Sequence, residues 1–407
     1  MTGNSTLTAS GLVGYCTNVH AGMSLGEVKT NLEKYAIAVR DAVASDEGEL
    51  GIGLWLSFEA TEELVATQAK IDFRDWLAER RLAPYTFNGF PFGNFHQNVV
   101  KRAVYEPTWA DPQRLEYTRR LADIQAILFA GDRSTISTLP LGWPFPQNRT
   151  DEFKTACAQN LTELTKHLVQ IYERTGKRIV VCLEPEPGCL FDTAVGLVDY
   201  FDNYLFANRD VALEANIRNH VGVCHDICHS AVMFESQDSA LSTYVKAGIE
   251  VAKVQVSSAI EADFRQLETQ QRTELLERLQ QFAEPRYLHQ TSVKTFDEAP
   301  GDVGVEDAGT IEFFEDLPDA IQAAGSDPRG LWRVHFHVPI FQQQYGLIGS
   351  TQSDIHLFLN SMNRLELKPD LEIETYAWNV LPQKLHEESL AQSLMREIKW
   401  FGNATTE

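Results

Sequence analysis

Four short, β-branched-rich runs of this 407-residue chain each end on an oxygen donor: IVVCLE at 179–184, VGVCHD at 221–226, VAKVQ at 251–255 and LEIE at 371–374. Apolar runs of this length read as buried strands, and side chains alternate across a strand. Val180, Cys182 and Glu184 therefore share one face, while Val181 and Leu183 share the other. The same parity groups Gly222 and Cys224 with Asp226, Lys253 and Ser257 with Gln255, and Glu372 and Tyr376 with Glu374. Val254, Val256, Leu371 and Ile373 point the opposite way. An apolar outer face and an inner face that turns polar at the C-terminal end describe a parallel barrel, whose mouth gathers functional groups from successive strand ends.

The rest of the chain supports that architecture. Strands at 12–20, 51–57, 83–90 and 134–142 bring the number to eight, and helical patterns separate them. Val28, Leu32, Tyr35, Val39 and Val43 keep helical spacing, and a long helix is expected to start at a Thr150 cap and stop at Gly176. The fold expected is α/β, a (β/α)8 barrel in a single domain over 1–407, with insertions after strands 3 and 7. Residues 262–341 form the larger insertion. Within it RYLHQTSV (286–293) reads as an extra strand, 306–322 as an acidic loop and short helix, and WRVHFHVP (332–339) as a ninth strand. The expectation is a hairpin of 286–293 with 332–339 over the barrel mouth; the rival is that 332–339 is itself a barrel strand.

Bulk properties narrow the function. A formal net charge of −22 opposes attraction to phosphate backbones, so nucleic acid is an unfavourable partner and a small molecule the expected one. Residues 1–11 have neither a basic nor an apolar targeting pattern, and no window reaches the length of a membrane span. A cytoplasmic protein is the simplest expectation, with homo-oligomer formation left open. Six cysteines in so long a chain do not make a disulfide scaffold. Cys224-His-Asp-Ile-Cys228-His229 lacks the second pair that a tetrahedral zinc site needs.

Glu184, Asp226, Gln255 and Glu374 in this order, with the spacing Asp226-x-x-His229, resemble the xylose isomerase-like barrels of sugar isomerases and epimerases over nearly the whole chain, and Gln at the third position resembles the hydroxypyruvate isomerase branch. The stretches GYCTNVHAG, TFNGFPFGNFH, ISTLPLGW, LEPEPGC, HFHVPIF and LEIETYAWNVLP are together similar to the ebo-cluster "metabolite traffic" barrel proteins. The resemblance implies one divalent metal held by Glu184, Asp226, Gln255 and Glu374, and proton transfer on a small sugar, polyol or cyclitol. The traffic label implies the alternative, a metabolite-binding protein that uses the same site without turnover. A phosphodiesterase like the endonuclease relatives of this fold needs a richer histidine cluster and a basic face.

Carboxylate and amide oxygens suit Mg²⁺ or Mn²⁺, whereas an added imidazole admits Zn²⁺, Co²⁺ or Fe²⁺. Glu184 and Glu374 are the candidate acid/base pair. His229 is open between ligand, substrate contact and core hydrogen bond. Arg333, His335 and His337 alternate with Val334, Phe336 and Val338 and so share one polar face, which either grips substrate or faces water. His20 and Asn88 are further candidates for substrate contact; Asn88 lies with His96 and Lys101 in an aromatic-rich loop able to act as a lid. His225 falls on the apolar face of its strand and reads as a core histidine.

Overall fold

The computed structural model describes residues 12–44, 48–207, 209–296, 309–382 and 388–405. Residues 1–11, read above for targeting, and 306–308 of the acidic segment lie outside them. Strands run in chain order as β1 (Val13–Cys16), β2 (Leu50–Trp55), β3 (Leu82–Asn88), β4 (Arg133–Thr138), β5 (Arg178–Leu183), β6 (Val221–Asp226), β7 (Val251–Val256), β8 (Ile260–Asp263), β9 (Thr291–Thr295), β10 (Thr310–Phe314), β11 (Leu331–Val334), β12 (Gln344–Tyr345), β13 (Ile348–Ser350) and β14 (Asp370–Ile373). β1 to β7 and β14 close a parallel barrel in the order β1-β14-β7-β6-β5-β4-β3-β2. These are the eight strands expected from the sequence.

Local chemistry sets the elements. The helix Asp151–Thr175 starts where the Thr150 side chain accepts from the Phe153 amide, and it stops at Gly176 with φ of 73°, the left-handed turn that glycine adopts without strain. Small residues line the barrel where large ones cross it: a Cβ on Gly53 would lie 1.4 Å from Glu372 Oε1, so only glycine leaves room for the inward carboxylate. The outward faces of Ile52, Leu54, Ile136, Val181, Val223, Val254 and Leu371 join the main apolar core.

The remaining strands form a second sheet, β10-β9-β11-β8-β13-β12. β9 and β11 pair antiparallel, with Trp332 opposite Val293, so the two segments do pair and 332–339 is not a barrel strand; they are not a hairpin, because β10 and the helix Leu317–Ala324 lie between them in the chain. Its boundaries differ from expectation. The strand at 286–293 begins only at Thr291, and the one at 332–339 ends at Val334. Beyond Val334 the chain leaves the sheet and crosses the barrel mouth, with the His335 amide on Gln290 O at 2.8 Å and the Val338 amide on Ser258 O at 3.0 Å. Part of the expected acidic loop is also a strand, because Thr310–Phe314 is rich in β-branched and aromatic residues and pairs with the free edge of β9. Among the described residues, no helix is long and apolar enough to cross a membrane.

Candidate metal centre

All four expected oxygen donors reach the C-terminal mouth. Asp226 is the last residue of β6, with Gln255 opposite it in register on β7. Glu184 and Glu374 each follow the last residue of their strands, β5 and β14. Ligand atoms of Glu184, Asp226 and Glu374 lie within 4.8 Å of one another. The spacing Asp226-x-x-His229 has a structural cause: Asp226 caps the helix Ile227–Val232 through Oδ1, which accepts from the His229 amide (2.9 Å) and the Ser257 hydroxyl (2.8 Å).

The hydrogen-bond account of this cluster is incomplete. Glu184 Oε2, Asp226 Oδ2, both amide atoms of Gln255 and His337 Nε2 are buried and without a hydrogen-bond partner among the described residues. A buried polar atom left unpaired costs about 1–3 kcal/mol, so unpaired atoms on Glu184 and His337, both grouped with Asp226, and on Asp226 itself mark a space shaped for a ligand. His337 Nδ1 donates to the Glu374 carbonyl at 3.0 Å. A carbonyl only accepts, so the proton is on Nδ1 and the Nε2 lone pair is free. That nitrogen lies 3.8 Å from Asp226 Oδ2, and a fixed tautomer of this kind is the usual support for a metal-binding histidine. Carboxylates, an amide and one imidazole fit a divalent cation.

Electrostatics point the same way. Burial, then the charges of Glu374 and Asp226, push the Glu184 carboxyl well above its ordinary range. Burial, then Asp226 and Glu372, do the same to Glu374. Asp226 is held low against its burial, mainly by His229 and His337. Burial pushes His337 down to about 4, and burial with the neighbouring His229 and His337 rings pushes His335 well below the usual imidazole range. Carboxylates that crowd and repel when alone are stabilised by a cation between them.

The other expected contacts divide. Asn88 Nδ2 donates to Glu374 Oε1 at 2.8 Å, and His229, His335 and Asn88 line a cleft of about 540 Å³ that opens from the centre. His20 is elsewhere. It is buried between Tyr15 and Tyr35, with the Tyr35 ring 4.8 Å away, and burial pushes it down to about 3. Arg333 also points away from the cleft, to Glu261 at 2.9 Å and the Ala231 carbonyl at 2.9 Å. It belongs to the sheeted part of β11, whereas His335 and His337 follow the strand end, so the three do not share one surface. His225 is a core histidine, with Nε2 2.7 Å from Gln237 Oε1. Lys101 reaches the cleft wall but is paired with Asp316 at 2.5 Å.

Sequence reading missed Glu186, Asn18 and Tyr105. Glu186 is buried and accepts from the Tyr105 hydroxyl at 2.7 Å; its alternation with Glu184 in LEPEPG was the available signal. Asn18 donates to Glu374 Oε1 at 2.7 Å and shares strand-end parity with His20.

No protein-family model matches the chain, and no curated protein matches it either. Similar solved structures include a D-tagatose 3-epimerase-like protein, with 12% identity over 97% of this chain and 98% of that one and a TM-score of 0.47. A xylose isomerase-like TIM barrel protein from Mycobacterium smegmatis in complex with magnesium has 11% identity over 100% and 99%, with a TM-score of 0.47. The IOLI protein with a bound zinc atom has 12% identity over 97% and 98%, with a TM-score of 0.46. The architecture, a closed parallel barrel of eight strands with helices between them, is read from the strand order of this chain. At such identities the likeness concerns the fold, and the chemistry of the mouth rests on the side chains that line it.

Proposed function

We propose that the chain is a divalent-metal-dependent isomerase or epimerase acting on a small, unphosphorylated sugar, polyol or cyclitol. The observation that carries the reading is the set of orphaned donors that gather on Glu184, Asp226 and His337 beside Glu374, with Gln255 in register opposite Asp226. A bound cation supplies charge stabilisation for a substrate oxygen as an adjacent carbon loses its proton. Glu184 and Glu374 are the two groups that hold and return that proton; burial and neighbouring carboxylates raise both carboxyls above their ordinary range in the metal-free protein.

Asn18 and Asn88 fix Glu374 through Oε1, which leaves Oε2 to face the reaction. Phe90, Phe95, Tyr287 and Tyr376 wall the cleft with apolar rings that exclude water, and Lys101, the one Lys or Arg among the described residues that line it, is already paired. The side chains that line the cleft therefore offer a phosphate no free Lys or Arg, whereas a neutral polyol meets carboxylates, amides and ring faces. Cytoplasmic location and self-association remain expectations of the sequence.

The test is exchange. Purified protein loaded with Mn²⁺ is incubated in D₂O with a panel of unphosphorylated ketoses and inososes, and the carbon-bound hydrogens are followed by NMR. Deuterium should enter next to a carbonyl, and Glu184→Gln or Glu374→Gln should slow entry by roughly 10²-fold or more. Binding of a panel member without exchange would instead support the metabolite-binding alternative.

A further inference from the structure

The accounting also fails at a second place in the mouth, in a way that one ion at the first site does not repair. His229 Nδ1 donates to the Pro185 carbonyl at 2.8 Å, so its Nε2 carries a lone pair. His335 Nδ1 meets Gln290 Oε1 at 2.8 Å. The Gln290 amide is oriented by its other end, where Nε2 donates to the Tyr105 oxygen at 3.1 Å while the Tyr105 proton goes to Glu186. Gln290 Oε1 can therefore only accept, and His335 Nε2 also carries a lone pair. These two Nε2 atoms are 3.1 Å apart. Two acceptors at that distance repel unless a cation lies between them.

The ring geometry selects the kind of cation. A proton shared along one straight line would hold the centroids at the nitrogen gap plus two ring radii, roughly 5.4 Å. They are 4.6 Å apart with planes at 84°, so the lone pairs are not collinear. Two imidazoles bound to one ion at about 2.1 Å with that nitrogen gap meet at roughly 95° and place their centroids about 4.8 Å apart. The observed arrangement is that of neighbouring ligands on a metal. Glu186 supplies the third donor, since its carboxylate and the two imidazoles have ligand atoms within 4.8 Å of one another.

We propose that Glu186, His229 and His335 form a second divalent-cation site, facing the same cleft as the first and suited by its two imidazoles to a borderline metal such as Zn²⁺, Co²⁺ or Fe²⁺. Glu186 reaches it as a carboxylate braced by Tyr105, and His229 and His335 by their Nδ1 hydrogen bonds, the outer-shell support that such ligands use. All three residues line the cleft, so a coordination position is open to water or to a substrate oxygen. The site stands on its own donors and does not need the isomerase reading.

The experiment counts ions. Chelator-stripped protein is titrated with Zn²⁺ or Co²⁺ and followed by calorimetry and native mass spectrometry, with circular dichroism confirming the fold of each variant. Wild type should bind two ions per chain, His335→Gln one, and Asp226→Ala one. Saturation of the wild type at a single ion, or retention of both by His335→Gln, overturns the proposal. If Asp226→Ala keeps both ions while His335→Gln loses one, the first site is misassigned and the second stands.

Discussion

β14 and the residue that follows it carry three carboxylates, Asp370, Glu372 and Glu374, at successive heights in the barrel, and the molecule treats the floor and the mouth differently. At the floor, Asp370 accepts from the Thr135 hydroxyl at 2.8 Å and lies 3.4 Å from Arg133. One layer up, Glu372 meets Lys253 at 2.7 Å, both fully buried, and the Lys253 ammonium also donates to the Phe87 carbonyl and the Ser137 hydroxyl. At the mouth, Glu374 has two neutral amides instead. Among the ion pairs of the described residues, no Lys or Arg side chain reaches Glu184, Asp226 or Glu374. Each buried carboxylate costs several kcal/mol unless compensated. The floor compensates with cations of its own chain, and the mouth is left with space for one from outside.

The strongest way to break this contrast is to empty the floor. Lys253→Met keeps most of the side-chain volume and leaves Glu372 buried and unpaired, so unfolding in denaturant should show a loss of about 3–5 kcal/mol. Burial opposes the charge on Lys253, and its neighbours, Glu372 foremost among them, together more than offset that effect. A loss under about 1 kcal/mol would mean that the pair is not a structural counter-charge.

Glu397 shows a third treatment, protonation. It is buried behind the mouth, where Oε1 accepts from the Thr375 hydroxyl at 2.6 Å and the Ile340 amide at 3.1 Å, pinning the turn after Glu374 to the segment that carries His337. Burial raises it from the ordinary 4.5 to about 7. A carboxyl raised on folding contributes stability that is fully present below its unfolded value and is lost as pH rises through the folded one. Stability should therefore fall between about pH 4.5 and 7, by about 3 kcal/mol. Glu397→Gln should flatten that slope in pH-dependent urea unfolding; an unchanged slope would assign it to other groups, Glu235 among them, which burial also raises to about 7.

At the mouth, neutralising a carboxylate should have the opposite sign to the floor. Glu184→Gln removes one of the crowded charges, so the metal-free protein should gain about 1–2 kcal/mol while the rise in melting temperature on adding metal shrinks. Destabilisation of the metal-free protein, as at Lys253, would erase the distinction between the two layers.

Much of this contrast was legible in the sequence because strands have a period of two. Glu184, Asp226 and Glu374 could be placed on inner faces from their neighbours alone, and the eight barrel strands followed from β-branched runs separated by helical patterns. Alternation failed where the strand did. Arg333 obeys it and turns to Glu261, whereas His335 and His337 lie beyond the end of β11, and their positions follow from backbone bonds to Gln290 and Ser258 that no periodicity encodes. His20 was misleading for the same reason, since a helical turn at Thr17–Val19 follows β1 and sends the imidazole outward toward Tyr35. Glu186 and Tyr105 are partners from distant segments, so their pairing was invisible before the fold was known.

The smallest effect tests whether neutral amides are an adequate substitute for a cation at the mouth. Asn88 donates one of the two hydrogen bonds to Glu374 Oε1, and its own Oδ1 accepts from the Phe90 amide at 3.1 Å, which ties the carboxylate to the start of the aromatic loop. Asn88→Ala removes one donor but leaves Asn18 in place. The lost bond is worth about 1 kcal/mol, and it should appear as roughly fivefold weaker Mn²⁺ binding in calorimetry, with little change in the stability of the metal-free protein. The division follows from the repulsion at this layer: in the metal-free protein Glu374 is pushed toward its protonated form, which needs the donor less, whereas a bound cation requires the charged form that both amides favour. A metal-free protein destabilised by more than the loss in metal affinity would show that Asn88 serves the loop and not the carboxylate.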